Sequence, residues 1–116
     1  MIRYLAIAIS TNKIHRVYWH QLIANGYGLT GENENYPQLT AFKNFANLIK
    51  NEKYISHDFS TNLHQVEFKK FIIYWNISNE KSKINFEENR RIMKLDGTEN
   101  ILKHLEINHE PVYIFK

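Results

Sequence analysis

Leu63-His64-Gln65-Val66-Glu67-Phe68-Lys69-Lys70-Phe71-Ile72-Ile73-Tyr74-Trp75-Asn76-Ile77 is the stretch on which the reading of this chain depends. Side chains of an extended strand alternate between faces, so a period of two in apolarity marks a half-buried strand. Val66 and Phe68 alternate on one face, then Phe71, Ile73, Trp75 and Ile77 on the other, with a phase slip at Lys69-Lys70. Within one strand such a slip predicts a bulge or bend, because otherwise an apolar set would turn to water. Ser78 to Lys83 is polar and turn-like, and Ile84, Phe86, Ile92, Met93 and Leu95 predict a return antiparallel to the first strand, a hairpin.

Working outward, Arg3 to Ile9 is nearly continuous in apolarity and reads as a buried central strand. The run ends far short of the roughly 20 residues a membrane helix needs and has no small-residue cleavage site, so no membrane segment is expected. Ser10 or Thr11 caps a helix over residues 12 to 25, with Ile14, Val17, Tyr18 and Leu22 at helical spacing and Asn25-Gly26 as its stop. Ala41, Phe42, Phe45, Leu48 and Ile49 define the apolar face of a second helix, residues 39 to 51. Asp96-Gly97-Thr98 breaks the strand and caps a short helix carrying Ile101, Leu102 and Leu105, and Pro111 precedes a last strand, Val112 to Phe115. The expected fold is therefore α+β: a mainly antiparallel sheet of four to five strands against two longer helices and one short one, in the order β-α-α-β-β-α-β, with residues 1–116 forming a single domain.

Composition narrows the classes. A chain of 116 residues, 43% hydrophobic and 14% aromatic with two prolines and four glycines, has the makings of a packed core and not of a disordered tract. The absence of cysteine excludes a disulfide scaffold, a thiolate zinc site and a cysteine nucleophile, and it fits a reducing compartment, so a cytoplasmic location is expected. The formal charge of +3 is spread along the chain: residues 1–58 carry six Lys/Arg against four Asp/Glu, residues 59–116 nine against eight. That excess is too small to demand a nucleic-acid partner.

Chemistry-bearing residues are sparse. His15 and His20 lie five apart, roughly 140° around a helix, so they do not share the face an i, i+4 zinc pair needs. His104 and His109 repeat that spacing, and no metal or cofactor is expected. Gly26-Tyr27-Gly28-Leu29-Thr30-Gly31 matches G-x-G-x-x-G, but the glycines follow a helix instead of opening one after a strand, so the dinucleotide reading lacks its context. His57-Asp58, with His64 seven residues on, offers imidazole and carboxylate groups for acid–base work, and Lys69 or Lys70 would supply the cation a metal-free ribonuclease needs. Lys69, Lys70, Arg90 and Arg91, with Tyr74 and Trp75 between them, offer a basic, aromatic surface for single-stranded RNA.

The loop from Tyr27 to Tyr36 is longer than most connections and joins two tyrosines to Glu32 and Glu34; tyrosine is the kind of rigid anchor that protein interfaces favour. With no catalytic set in the sequence, the expected function is a non-enzymatic, intracellular protein-binding module. Its most specific form is an immunity or antitoxin-like protein that occludes a partner toxin through Tyr27, Glu32, Glu34 and Tyr36. The alternative is an RNA-binding protein or ribonuclease toxin using His57, His64, Lys69, Lys70, Arg90 and Arg91. A homodimer is open to it if Val112 to Phe115 lies at a sheet edge, where backbone groups lack partners.

Overall fold

A computed structural model of the chain describes residues 1–14, 16–17 and 36–116. Two helices, α1 (Ile2–Ser10) and α2 (Pro37–Ile49), precede six strands: β1 (Tyr54–Asp58), β2 (Leu63–Phe68), β3 (Phe71–Asn76), β4 (Ser82–Met93), β5 (Glu99–Ile107) and β6 (Val112–Phe115). The strands form one sheet in the order β1-β2-β3-β6-β4-β5, antiparallel at every junction. This corrects the expected four to five strands, three helices and β-α-α-β-β-α-β order.

The first correction is at the N-terminal run, which is helix and not a central strand. Buried Ile2, Leu5 and Ala6 and half-buried Ile9 fall at i, i+3, i+4 and i+7, a helical stripe hidden inside a run apolar on every side. Leu5, Ala6 and Ala8 add strong helix propensity. Asn12, at φ 52°, ends the element in the left-handed region that asparagine tolerates. The helix expected over 12–25 lies mostly outside the described residues. Its described part, 12–14 and 16–17, is not helical. The helix expected over 39–51 corresponds to α2, which starts earlier because Pro37 sits at its first turn, where a missing N–H is harmless.

The phase slip at Lys69-Lys70 is a chain reversal, not a bulge. Glu67 pairs with Ile72, so Lys69 and Lys70 form the tip of a β2–β3 hairpin, and Val66, Phe68, Phe71, Ile73 and Trp75 all end on one face. Neither lysine takes the positive φ of the usual two-residue hairpin turns, so no Asn-Gly type signal announces it. Distant groups satisfy the tip instead: Lys69 N–H donates to the Lys53 carbonyl, Lys70 N–H to the Glu52 carboxylate, and the Lys70 carbonyl accepts from Lys116 N–H.

The hairpin expected between this stretch and Ile84–Leu95 also fails, because β6 lies between β3 and β4. The short helix expected after Thr98 is strand β5. Asp96-Gly97 is a hairpin loop, with Lys94 N–H donating to the Thr98 carbonyl, Gly97 at φ 89° and the Asp96 carboxylate accepting from Thr98 N–H. The Leu95 carbonyl in that loop accepts from Asn44 Nδ2 of α2 at 2.9 Å. Pairing with β4 overrides a weak helical spacing. β6 matches the expected last strand in extent, but it is interior and buried, so the edge-to-edge dimer envisaged through it is excluded.

Both faces of the sheet carry core. On one, Val66, Phe68, Phe71, Ile73, Trp75, Met93 and Tyr113 pack under α1 and α2. On the other, Ile92, Ile107 and Val112 pack with Leu63, Tyr74, Ile84, Phe86 and Leu105, brought together where a register shift between Asn85 and Arg90 bends β4. Of the described polar residues, Asn76 is the most deeply buried. Asn76 is 1% exposed; its Nδ2 donates to the Glu80 carbonyl and the Ser82 hydroxyl, both at 2.7 Å, and its Oδ1 accepts from Ser78 N–H. Its backbone N–H donates to the Asn108 carbonyl, and its carbonyl lies 3.0 Å from His109 Nδ1.

Asn76→Ala orphans Ser78 N–H, the Glu80 carbonyl and the Ser82 hydroxyl in the turn before β4 and should cost about 2–3 kcal/mol, read as a lower urea midpoint at unchanged slope; a loss below about 0.5 kcal/mol would show that this turn closes without it. Tyr113 is fully buried and its hydroxyl has no partner among the described residues, a desolvation cost that also drives its pKa upward. Tyr113→Phe should therefore be neutral or stabilising by up to about 1 kcal/mol, and a clear fall in Tm would contradict this.

Candidate functional site

The end of the sheet holding the Lys69-Lys70 turn carries a groove of about 430 Å³. Four separate segments converge on it: Glu52 after α2, Lys70 at the turn, Arg90 and Arg91 on β4, and Phe115 and Lys116 at the end of β6. The register brings them together, since Phe71 pairs with Phe115 and Ile92 with Ile114, which places Arg91 beside Phe115. The Arg91 guanidinium carbon stands 3.8 Å from the centre of the Phe115 ring, a cation–π stack that holds the planar fork in place. Asn47, Leu48, Phe71 and Asn89 complete the walls.

Most of these cations already have carboxylate partners. Lys70 Nζ lies 3.0 Å from Glu52, Lys116 Nζ 2.6 Å from Glu67, and Arg91 Nη1 3.7 Å from Glu99. Half-buried Arg90 makes no ion pair among the described residues. The groove's uncommitted positive charge is therefore concentrated at Arg90, next to a pre-oriented Arg91 whose ion pair is long and weak. Glu67 is held below the ordinary glutamate range, first by its hydrogen bond from Lys116 and then by that from Ser56.

The residues singled out in the sequence divide between this groove and the opposite end of β2. Lys70, Arg90 and Arg91 meet in the groove, whereas Lys69 is exposed at the turn and does not line it. His57 and His64 belong to a chain of rings on the first two strands. His57 stacks on Phe59 at 4.7 Å between centres, Phe59 lies 5.0 Å from His64, and His64 packs edge-on to Trp75 at 5.6 Å. Tyr54 Oη lies 2.6 Å from His57 Nδ1, while His64 Nδ1 is buried without a hydrogen-bond partner among the described residues.

His57 and Asp58 do not act as a pair. Adjacent strand residues point to opposite faces, and Asp58 Oδ1 accepts both the Ser60 hydroxyl at 2.6 Å and Ser60 N–H at 2.8 Å, which lowers its pKa and fixes the β1–β2 turn. Five residues of strand put roughly 16 Å between His64 and Lys69, so the histidines and the turn lysines do not form one acid–base–cation set. His104 contacts Asn85, and His109 the Asn76 carbonyl; His15 and His20 lie outside the described residues. So do Tyr27, Glu32 and Glu34. Tyr36 is half-buried and is the N-cap of α2, its carbonyl accepting from Leu39 N–H. Glu52, Phe115 and Lys116 went unnoticed in the sequence, where no local pattern sets them apart; only register joins them to Arg91. Among the described residues, no helix is long and apolar enough to cross a membrane.

No family model matches the chain, and no curated protein matches it. Among solved structures it is similar to a family 39 glycoside hydrolase from the gut symbiont Bacteroides cellulosilyticus WH2, with a TM-score of 0.63 and 19% identity. The likeness covers 77% of this chain and 22% of that one, so this chain corresponds to under a quarter of the enzyme's length. At that identity the similarity is one of fold.

The Glu67 carboxyl gives a pH prediction. Because its pKa is lower folded than unfolded, the Lys116–Glu67 contact adds stability above the ordinary glutamate range, and this is lost as pH falls through the folded value. Glu67→Gln should be less stable than the parent at pH 7, by up to about 1 kcal/mol for a part-exposed pair, and equal to it at about pH 2. A gap of the same size at both pH values would assign the loss to packing instead.

Proposed function

We propose that this chain is a non-enzymatic protein-binding module that docks an acidic segment of a partner protein in the groove at Arg90 and Arg91. The observation that carries the reading is half-buried Arg90, without an ion pair among the described residues, beside Arg91, which Phe115 stacks into a fixed fork. Arginine and aromatic side chains dominate binding energy at protein interfaces, and a guanidinium held in advance loses less entropy on meeting a carboxylate. An immunity or antitoxin-like role is a particular form of this reading. The target surface is then acidic, in keeping with the +3 charge of the chain.

The RNA reading draws less support. Three of the four groove cations already face carboxylates, and counterion-releasing phosphate contacts need cations that are free to make them. The ribonuclease form further requires His57 or His64 to work with Lys69 or Lys70, from the other end of β2.

A second reading rests on the structural likeness. The fold corresponds to one part of a longer glycoside hydrolase, which favours an accessory module whose partner is a catalytic domain. This is analogy at the level of fold. On this reading the partner is a catalytic domain and the contact is still the groove.

The test is affinity capture from native cells with the parent and with Arg90→Glu, together with anisotropy titrations of a labelled single-stranded RNA. A stoichiometric protein partner with an acidic contact surface, bound at least tenfold more weakly by Arg90→Glu, is the expected result. A captured glycoside hydrolase would select the accessory form, and a toxin the immunity form. RNA binding that Arg90→Glu abolishes, with no protein captured, would overturn the proposal.

A further inference from the structure

β5 is one of the two edges of the sheet, and it is long for an exposed edge. Residues 99–104 are exposed, with Ile101 at 70% and Leu102 at 38%. Natural sheets usually keep such edges short or covered, because a row of unpaired N–H and C=O groups invites another strand.

The hydrogen-bonding phase of the β4–β5 ladder tells which groups are free. Lys94 N–H donates to the Thr98 carbonyl at 2.9 Å, so this is a hydrogen-bonded pair. Pairs alternate along an antiparallel ladder, so Ile92–Asn100 and Arg90–Leu102 are bonded while Met93–Glu99 and Arg91–Ile101 are not. The backbone groups of Glu99 and Ile101 therefore point away from β4, and by the same alternation so do those of Lys103.

We propose that β5 pairs antiparallel with β5 of a second copy of this chain, about a two-fold axis at Ile101. In this register Ile101 faces Ile101, Glu99 faces Lys103 twice, and Asn100 faces Leu102. The outward backbone groups of 99, 101 and 103 meet in hydrogen-bonded pairs, and the most exposed apolar side chain of the strand is covered by its own copy. A shift of the axis to Lys103 opposes two ammonium groups, and a shift to Leu102 sets Ile101 against Lys103. The Ile101 register alone opposes unlike charges at both ends. The interface is isologous, as a two-fold demands. Because Arg91 pairs with Ile101, the two grooves flank the axis, a bivalent arrangement that does not depend on what the groove binds.

Sedimentation equilibrium of the full chain tests this, with Glu99→Lys and Lys103→Glu made singly and then mixed. Each single variant opposes like charges and should weaken dimerisation at least tenfold. An equimolar mixture opposes unlike charges again at both positions and should recover a heterodimer of near-parental affinity. The loss of the Arg91–Glu99 contact cannot imitate that recovery, since Glu99→Lys lacks it in the mixture too. A parent monomeric at all concentrations, single variants that dimerise like the parent, or a mixture that stays monomeric would each overturn the proposal.

Discussion

The short strand β6 joins the two halves of this sheet. On one side it pairs with β3, the inner strand of the β1-β2-β3 ladder, and on the other with β4 of the β4-β5 hairpin. Val112, Tyr113 and Ile114 are buried on both faces, as a strand with core above and below requires. Burying each of those side chains is worth about 1.5–3 kcal/mol against leaving it in water, and the seam gathers that gain in a single turn-free segment. Its position also creates the groove. Were β4 paired directly with β3, Arg91 would not reach Phe115, and Lys70 and Lys116 would not share a rim.

The Lys69-Lys70 reversal is closed by groups distant in sequence. Glu52 and Lys53, just past α2, receive the N–H groups of the Lys69-Lys70 tip, and Lys116 supplies the donor for its carbonyl. At the other end of β3, Asn76 ties the turn before β4 to the segment before β6. Backbone groups at a reversal must find partners somewhere, and here they find them in elements that arrive only when the fold is complete.

The same economy explains why many conspicuous residues are structural. Phe59, His64 and Trp75 pack ring against ring, exposed His57 stacks on Phe59, and Asp58 closes a turn, so the most suggestive dipeptide in the chain serves ring stacking and turn chemistry. The groove, by contrast, is built from residues with no pattern in sequence. Its value for recognition comes from geometry: an arginine stacked on an aromatic ring beside a second arginine that has no carboxylate partner among the described residues.

Only local features can be read from the residues alone. The apolar stripe of α2, the proline that starts it, the extended character of Leu63–Asn76 and Ser82–Met93 and the extent of Val112–Phe115 are all legible, because each follows from periodicity or from one residue's backbone constraints. Tertiary structure decided the rest. Arg3 to Ile9 is apolar enough for either a buried strand or a buried helix, and only the sheet face it covers selects the helix. Lys69-Lys70 carries no turn signal because its partners lie at residues 52, 53 and 116. Ile101, Leu102 and Leu105 suit a weak helix until β4 offers a ladder. The groove could not be read at all, since strand order is set by which backbone edges find one another in the folded chain, and no local pattern of side chains encodes that choice.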